Sequence, residues 1–197
     1  MATQVERRTA TRAKLIGAAR ELFARDGYAE THTNDILEHT GLSRGAMYHH
    51  FQNKQELFEA VFVVVSNETI EYAVKQGART GSALESLIAA CVAWLRAVRR
   101  PEAAAILLNE APRVLGWKRA RDLEATTSLF LMQKSLERAV AAGEVQVPSV
   151  DLAARLLNAM LAEAALAVLY GEPATSRSEE HTSELQSRSD LVCRLLL

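Results

Sequence analysis

The sequence predicts an all-α protein. Apolar residues recur at the 3.6-residue period of a buried helix face along most of the chain, and the period-two alternation of a half-buried strand is nearly absent. Capping residues and glycines punctuate that pattern at helix-length intervals, which sets the number and order of the elements.

The first helix is expected from about Thr9 to Asp26, with Leu15, Ile16, Ala19, Leu22 and Phe23 on one face. It stops at Gly27, and Tyr28 is placed to touch Phe23 across a Schellman-type end. The stretch Thr31 to Phe51, THTNDILEHTGLSRGAMYHHF, reads as two short helices around a tight turn. Ile36 and Leu37 supply apolar residues to the first of these, and Gly41 falls where a left-handed cap is needed. Leu42 can plug the corner, and Ser43 caps the second helix. There Met47 and Phe51, four apart, face inward, leaving Arg44, Gly45, Tyr48 and His49 outward. A fourth helix starts at Asn53, with Glu56 three residues on in the manner of a capping box. It carries Leu57, Phe58, Val61, Phe62 and Val65 and runs to about Gln76.

Gly77 and Gly81 mark a break, after which Ser82 and Glu85 open a helix whose face includes Leu84, Leu87, Ile88, Cys91, Val92 and Leu95. Pro101 suits the first position of the next helix, expected to end near Pro112 and to be followed by an irregular stretch, Arg113 to Trp117. Two long helices complete the pattern, from about Lys118 to Ala142, closed by Gly143, and from Ser149 to Tyr170, closed by Gly171. The segment Arg177 to Ser187, RSEEHTSELQS, reads as a translated sequencing-library adapter rather than as part of a gene. Residues 177–197 are therefore set aside as an artefactual tail, and the natural protein is expected to continue differently after about Ser176.

A chain of 197 residues with 49% hydrophobic content can bury a real core. With 23 basic and 24 acidic residues there is no global field that draws it to nucleic acid, so any such footprint must be local. Residues Glu6 to Lys14 set Arg7, Arg8, Arg12 and Lys14 against a single acid, and Arg7, Arg8 and Arg12 read as a loosely ordered basic arm that can add minor-groove or phosphate contacts to DNA rather than read its sequence. Four of the five histidines fall between His32 and His50, and the spacing of seven between His32 and His39 suits no compact metal site. Cys91 and Cys193 make no disulfide framework, and no apolar run spans a membrane or forms a signal peptide. The chain reads as soluble and cytoplasmic.

A helix-turn-helix places the outer face of its second helix in the major groove of DNA. Arg44 is the candidate for a base edge, because its fork matches guanine O6 and N7. Gly45 and Ala46 are small enough for close approach to the groove floor. Thr33 starts a helix whose N–H groups can hold a phosphate. Tyr48, His49 and Lys54 offer hydroxyl, imidazole and ammonium groups to backbone oxygens, and His50 is divided between DNA contact and packing under the fourth helix.

From Arg12 to Leu57 the order of residues resembles the TetR/AcrR family of one-component transcriptional regulators. The features that carry the resemblance are a helix ending ELFARDGY, a threonine-bearing start, DI, a glycine-hydrophobic-serine turn, Gly45, YHHF and K-x-E-L. It implies an N-terminal three-helix helix-turn-helix DNA-binding domain (residues 1–52) and a C-terminal helical ligand-binding and dimerisation domain (residues 53–176). It also supports carrying Thr33, Tyr48, His49 and Lys54 over as DNA-backbone contacts. Leu37 and Thr40 stand where the family usually has small alanines, and His32 where serine or threonine is common.

The function so implied is a sequence-specific regulator, dimeric on a near-palindromic operator in double-stranded DNA and released by a small-molecule effector. Leu152, Leu156, Met160 and Ala164, with Leu129, Leu136 and Val140, are expected at the homodimer surface, the alternative for each being burial within the protomer. Cys91, Trp94, Leu95, Leu108, Asn109, Trp117, Phe130 and Lys134 are expected to line the effector cavity, against the alternative that each is plain core. No catalytic residue, metal or cofactor is expected, since the chain lacks a phosphate-binding glycine loop, a nucleophile elbow and zinc-type spacing. A helical binding or scaffold module without DNA contact is the rival reading.

Overall fold

The computed structural model describes residues 3–78 and 81–170. Among them are α1 (Gln4–Asp26), α2 (Thr33–Thr40), α3 (Arg44–His50), α4 (Lys54–Gly77) and α5 (Ala83–Ala97). A short α6 (Pro101–Ala103) leads through a π-helical segment (Ala104–Glu110) into α7 (Ala111–Val114), and α8 (Gly116–Ala141) and α9 (Val150–Tyr170) follow. The all-α expectation holds. Gly171, expected to close the last helix, and the tail 177–197 lie outside the described residues.

The chain forms two compact units, Met1–Thr69 with Val98–Thr126 and Ile70–Ala97 with Thr127–Leu197. The boundary read from the sequence, at residues 52 and 53, falls inside the first of these.

The core of the first unit is the predicted inner face of α1 closed by α2, α3 and α4. Leu15, Phe23, Ile36, Met47, Phe51, Leu57, Phe58 and Val61 are all buried. Burying each such side chain stabilises the unit by about 1.5–3 kcal/mol. Phe23, Tyr28 and Phe58 form a ring cluster with centroids 5.4–5.5 Å apart, so the expected contact of Tyr28 with Phe23 is made. Arg20 then fastens α1 to two other helices. Its guanidinium donates two hydrogen bonds of 2.7 Å to Glu102 at the start of α6 and pairs with Glu68 of α4 at 2.8 Å.

Two boundaries differ from the sequence reading. The first helix starts at Gln4, not near Thr9, because Thr3 and Glu6 form a capping box: the Thr3 hydroxyl accepts the Glu6 N–H at 3.2 Å and the Glu6 carboxylate accepts the Thr3 N–H at 2.6 Å. The basic arm is therefore ordered helix. The chain also stays helical past Pro112. A proline inside an α-helix lacks its own N–H and crowds the carbonyl four residues earlier, here that of Leu108. The π segment just upstream shifts the pairing, so that the Ala111 N–H reaches the Ile106 carbonyl.

In the second unit Leu87 of α5, Leu136 of α8 and Ala154, Leu157 and Leu161 of α9 form a core cluster, with Cys91, Trp94, Leu95, Leu129 and Met132 packed against it. Leu136 thus takes the alternative of burial within the protomer, and Leu129 does so in part. Leu152 and Leu156, each 55% exposed, remain on the outer face of α9. Gly77 ends α4 so close to α5 that an added Cβ would collide with the Ser86 carbonyl oxygen, so only glycine fits there. The Glu144 carboxylate accepts the N–H groups of Ala83 and Leu84, at 3.2 and 2.6 Å, and so caps α5 from the loop between α8 and α9. These bonds hold its carboxyl below the ordinary glutamate range.

Candidate nucleic-acid interface

The turn between α2 and α3 is built as its sequence dictates. Gly41 takes the left-handed conformation, φ 65° and ψ 21°, and its N–H reaches the Glu38 carbonyl at 3.3 Å. Two residues on, the Ser43 hydroxyl accepts the Ala46 N–H at 3.2 Å and starts α3. Ile36, Met47 and Phe51, at 0–1% exposure, pin both helices to the core. Thr40 is buried but satisfied, its hydroxyl donating to the Ile36 carbonyl at 2.8 Å.

With one side of α3 fixed inward, the other is left open. Arg44, Gly45, Tyr48 and His49 are exposed, Tyr48 at 46%, and Ala46 is half-buried beside them. These are the outward residues the sequence pattern named, and the structure brings them onto one face. The Arg44 guanidinium donates to the Asn34 side-chain oxygen at 3.0 Å, a cross-brace between the two helices that spacing alone did not reveal. Thr33 is the first residue of α2 and half-buried. Beside it, Asp35 takes the His32 N–H at 2.7 Å and places an acid at that helix end.

Lys54 has a task the sequence reading missed. Its ammonium donates to the carbonyls of Tyr28 and Thr31 at 2.8 and 3.0 Å and lies 4.2 Å from the centre of the Tyr28 ring. It therefore ties α4 to the connection between α1 and α2, with two of its three N–H bonds engaged. Partial burial lowers its proton affinity, and Asp35 and Glu30 act in the opposite sense.

A cationic group flanks the C-terminal end of α3. His50 is half-buried, with its ring 5.3 Å from that of His49, and the Arg12 guanidinium lies 5.1 Å over the Phe51 ring. Burial lowers the proton affinity of His50 first, and the charges of His49, Arg8 and Arg12 add to the effect. Arg8 and Arg12 thus lie near this end of α3 on turns of an ordered helix.

The residues expected around an effector are divided between the two units. Cys91, Trp94 and Leu95 pack on the core of the second unit, while Leu108 and Asn109 lie half-buried in the π segment of the first. Trp117 and Phe130, 56% and 55% exposed, stand on the surface under Arg121 and Lys134, and Lys134 is itself exposed. Those three residues do not line an interior cavity of the protomer, because large aromatics on helices with little amphipathic bias need not face inward. Among the described residues, no group of three or more His, Cys, Asp or Glu is arranged to hold a metal ion, and no helix is long and apolar enough to cross a membrane.

Comparison with known proteins decides what this architecture belongs to. A family model described as "Bacterial regulatory proteins, tetR family" matches residues 15–61. A second, "Tetracyclin repressor-like, C-terminal domain", matches residues 84–187, more than half of the chain. The chain belongs to the tetR family.

The C-terminal match runs to the end of the stretch read as an adapter. Among tetR-family relatives, the HTH-type transcriptional repressor Rv1474c of Mycobacterium tuberculosis is 30% identical over 133 residues, 66% of this chain and 69% of that protein. The HTH-type transcriptional regulator TtgR of Pseudomonas putida is 49% identical over 51 residues, 26% of this chain and 24% of its own length, so the chain spans about a quarter of it. The crystal structure of a TetR-family transcriptional regulator from Pectobacterium atrosepticum superposes with a TM-score of 0.81 at 29% identity, covering 99% of this chain and 96% of that one.

Proposed function

We propose that this chain is a sequence-specific DNA-binding transcriptional repressor, acting in the cytoplasm as a homodimer on a near-palindromic operator and released from it by a small-molecule effector. One observation carries the reading: α3 is anchored by buried Met47 and Phe51 and turns Arg44, Gly45, Tyr48 and His49 to solvent. Arg44 reads a guanine edge, and Gly45 and Ala46 let the helix approach the groove floor. Thr33, Tyr48 and His49 hold phosphates, Lys54 adds its remaining N–H, and these contacts set register without reading sequence.

A single helix-turn-helix makes few phosphate contacts, so two copies reading two half-sites are the physical expectation. The exposed Leu152 and Leu156 of α9 supply an apolar face for that pairing. For the effector, Cys91, Trp94 and Leu95, packed on one core cluster, are the lining residues supported best in the second unit. The residues of α4 are divided between the two units. A ligand that prefers one setting of this helix lowers operator affinity by its ratio of affinities for the two states.

Genome-wide mapping of the bound sites tests the proposal. The expected result is an enriched sequence with two related half-sites about one helical turn apart. Recovery of no common sequence, with no retardation of any recovered fragment by the purified protein, overturns it in favour of a helical scaffold.

A further inference from the structure

A cleft of about 450 Å³ lies between α1 and α4, within the first unit. Its wall is apolar, formed by Ala13 and Ile16 of α1 and Val64 of α4. Gly17 lines it at an exposed position, where an added Cβ would meet no atom within 4 Å. Arg8, Arg12 and Arg20 border it.

The three arginines are not equivalent. Arg20 is already held by Glu68 and Glu102. Arg8 and Arg12, one helical turn apart, have no acidic partner among the described residues. Arg12 rests on the Phe51 ring instead. Uncompensated charge beside an apolar wall selects a ligand with both features. An anion accepts charge-assisted hydrogen bonds from the guanidinium groups, and an apolar body covers the wall. The volume falls in the range of small-molecule sites, about 300–1,000 Å³.

We propose that the α1–α4 cleft binds a small acidic amphiphile, of the size of a medium-chain carboxylate, with its head on Arg8 and Arg12 and its body along Ala13, Gly17 and Val64. The site is independent of the operator reading above, because it needs neither DNA nor a second copy.

Titration of the isotope-labelled full chain with sodium decanoate, followed by amide chemical shifts, tests this. Shifts are expected in residues 8–20 and 61–65 and to saturate. Decanamide, with the same body and no charge, is expected to bind at least about tenfold more weakly, and Arg8→Gln and Arg12→Gln each to cost about tenfold. Decyl phosphate in place of decanoate separates a phosphate head from a carboxylate. Gly17→Phe places a ring over the cleft and is expected to abolish binding with helical circular dichroism unchanged. Ala13→Phe, at an exposed position of the wall, serves the same purpose should Gly17→Phe fail to fold. Shifts confined to other segments, or undiminished decanoate binding by both filled variants, overturn the proposal. So does equal binding of decanamide.

Discussion

Replacing Lys54 by methionine separates two roles for one ammonium group. In the protein it donates to the Tyr28 and Thr31 carbonyls at 2.8 and 3.0 Å and sits 4.2 Å from the Tyr28 ring centre. Hydrogen bonds from a charged donor contribute about 1.5–3 kcal/mol each. The ring contact adds about 0.5–1 kcal/mol. Against these stands the cost of holding the ammonium partly out of water, visible in its lowered proton affinity. Methionine keeps the packing of the stem, and water restores part of the bonding lost by the two carbonyls. The net loss is therefore about 2 kcal/mol. For a chain of this length, that lowers the melting midpoint by about 4–8 °C. Differential scanning calorimetry of wild type and Lys54→Met reads the difference. A midpoint changed by less than about 1 °C, together with a salt slope of DNA binding shallower by about 0.9, would show Lys54 to be a phosphate contact alone and the anchoring argument wrong.

Arg44→Ala is expected to relax discrimination at one base pair of each half-site by about 1–3 kcal/mol in competition binding, whereas a uniform loss on all sequences would deny it a reading role. Glu102→Gln tests the brace to Arg20. The Arg20 hydrogen bond holds the Glu102 carboxyl below its ordinary range, so the brace is fully present above that range and is lost as pH falls through the depressed value. Urea unfolding should find the variant less stable by about 0.5–1 kcal/mol near neutral pH, with the gap closing as pH falls through the depressed value of the Glu102 carboxyl; a gap that persists in acid removes the ionic explanation. Leu156→Glu, at an exposed apolar position of α9, is expected to give a monomer in sedimentation velocity with unchanged helix content, and a dimer of wild-type strength would move the interface elsewhere.

Local chemistry explains which parts of this architecture the sequence announces. Gly41, Ser43, Asn53 and Ser82 act within three or four residues of themselves, and each ends or starts a helix where its side chain or φ requires. The same holds for Met47 and Phe51, whose spacing sets the inner face of α3 and hence its outer one. The start of α1 was equally local, since Thr3 and Glu6 carry the capping-box pattern, but the polar turns after them hide it behind a charged arm. The π segment leaves no mark in the periodicity, because one shifted hydrogen bond moves the face by less than a turn. Contacts across long separations were out of reach: Lys54 on the Tyr28 carbonyl, Arg20 on Glu102, and Arg44 on Asn34. On α8 and α9, apolar residues occupy several faces, so the pattern does not say that Leu136 turns in while Leu156 turns out. The same ambiguity left Trp117 and Phe130 read as cavity walls when they stand on the surface.

The salt dependence of operator affinity tests most directly whether the outer face of α3 lies against a duplex. Fluorescence anisotropy on a fragment recovered by genomic mapping, between about 50 and 200 mM salt, gives the slope of log affinity against log salt. A dimer neutralising roughly 6–10 phosphates gives a slope of about −5 to −9 and loses several orders of magnitude in affinity. A slope near zero, or equal binding by a protein carrying both Arg44→Ala and Tyr48→Phe, would contradict the assignment.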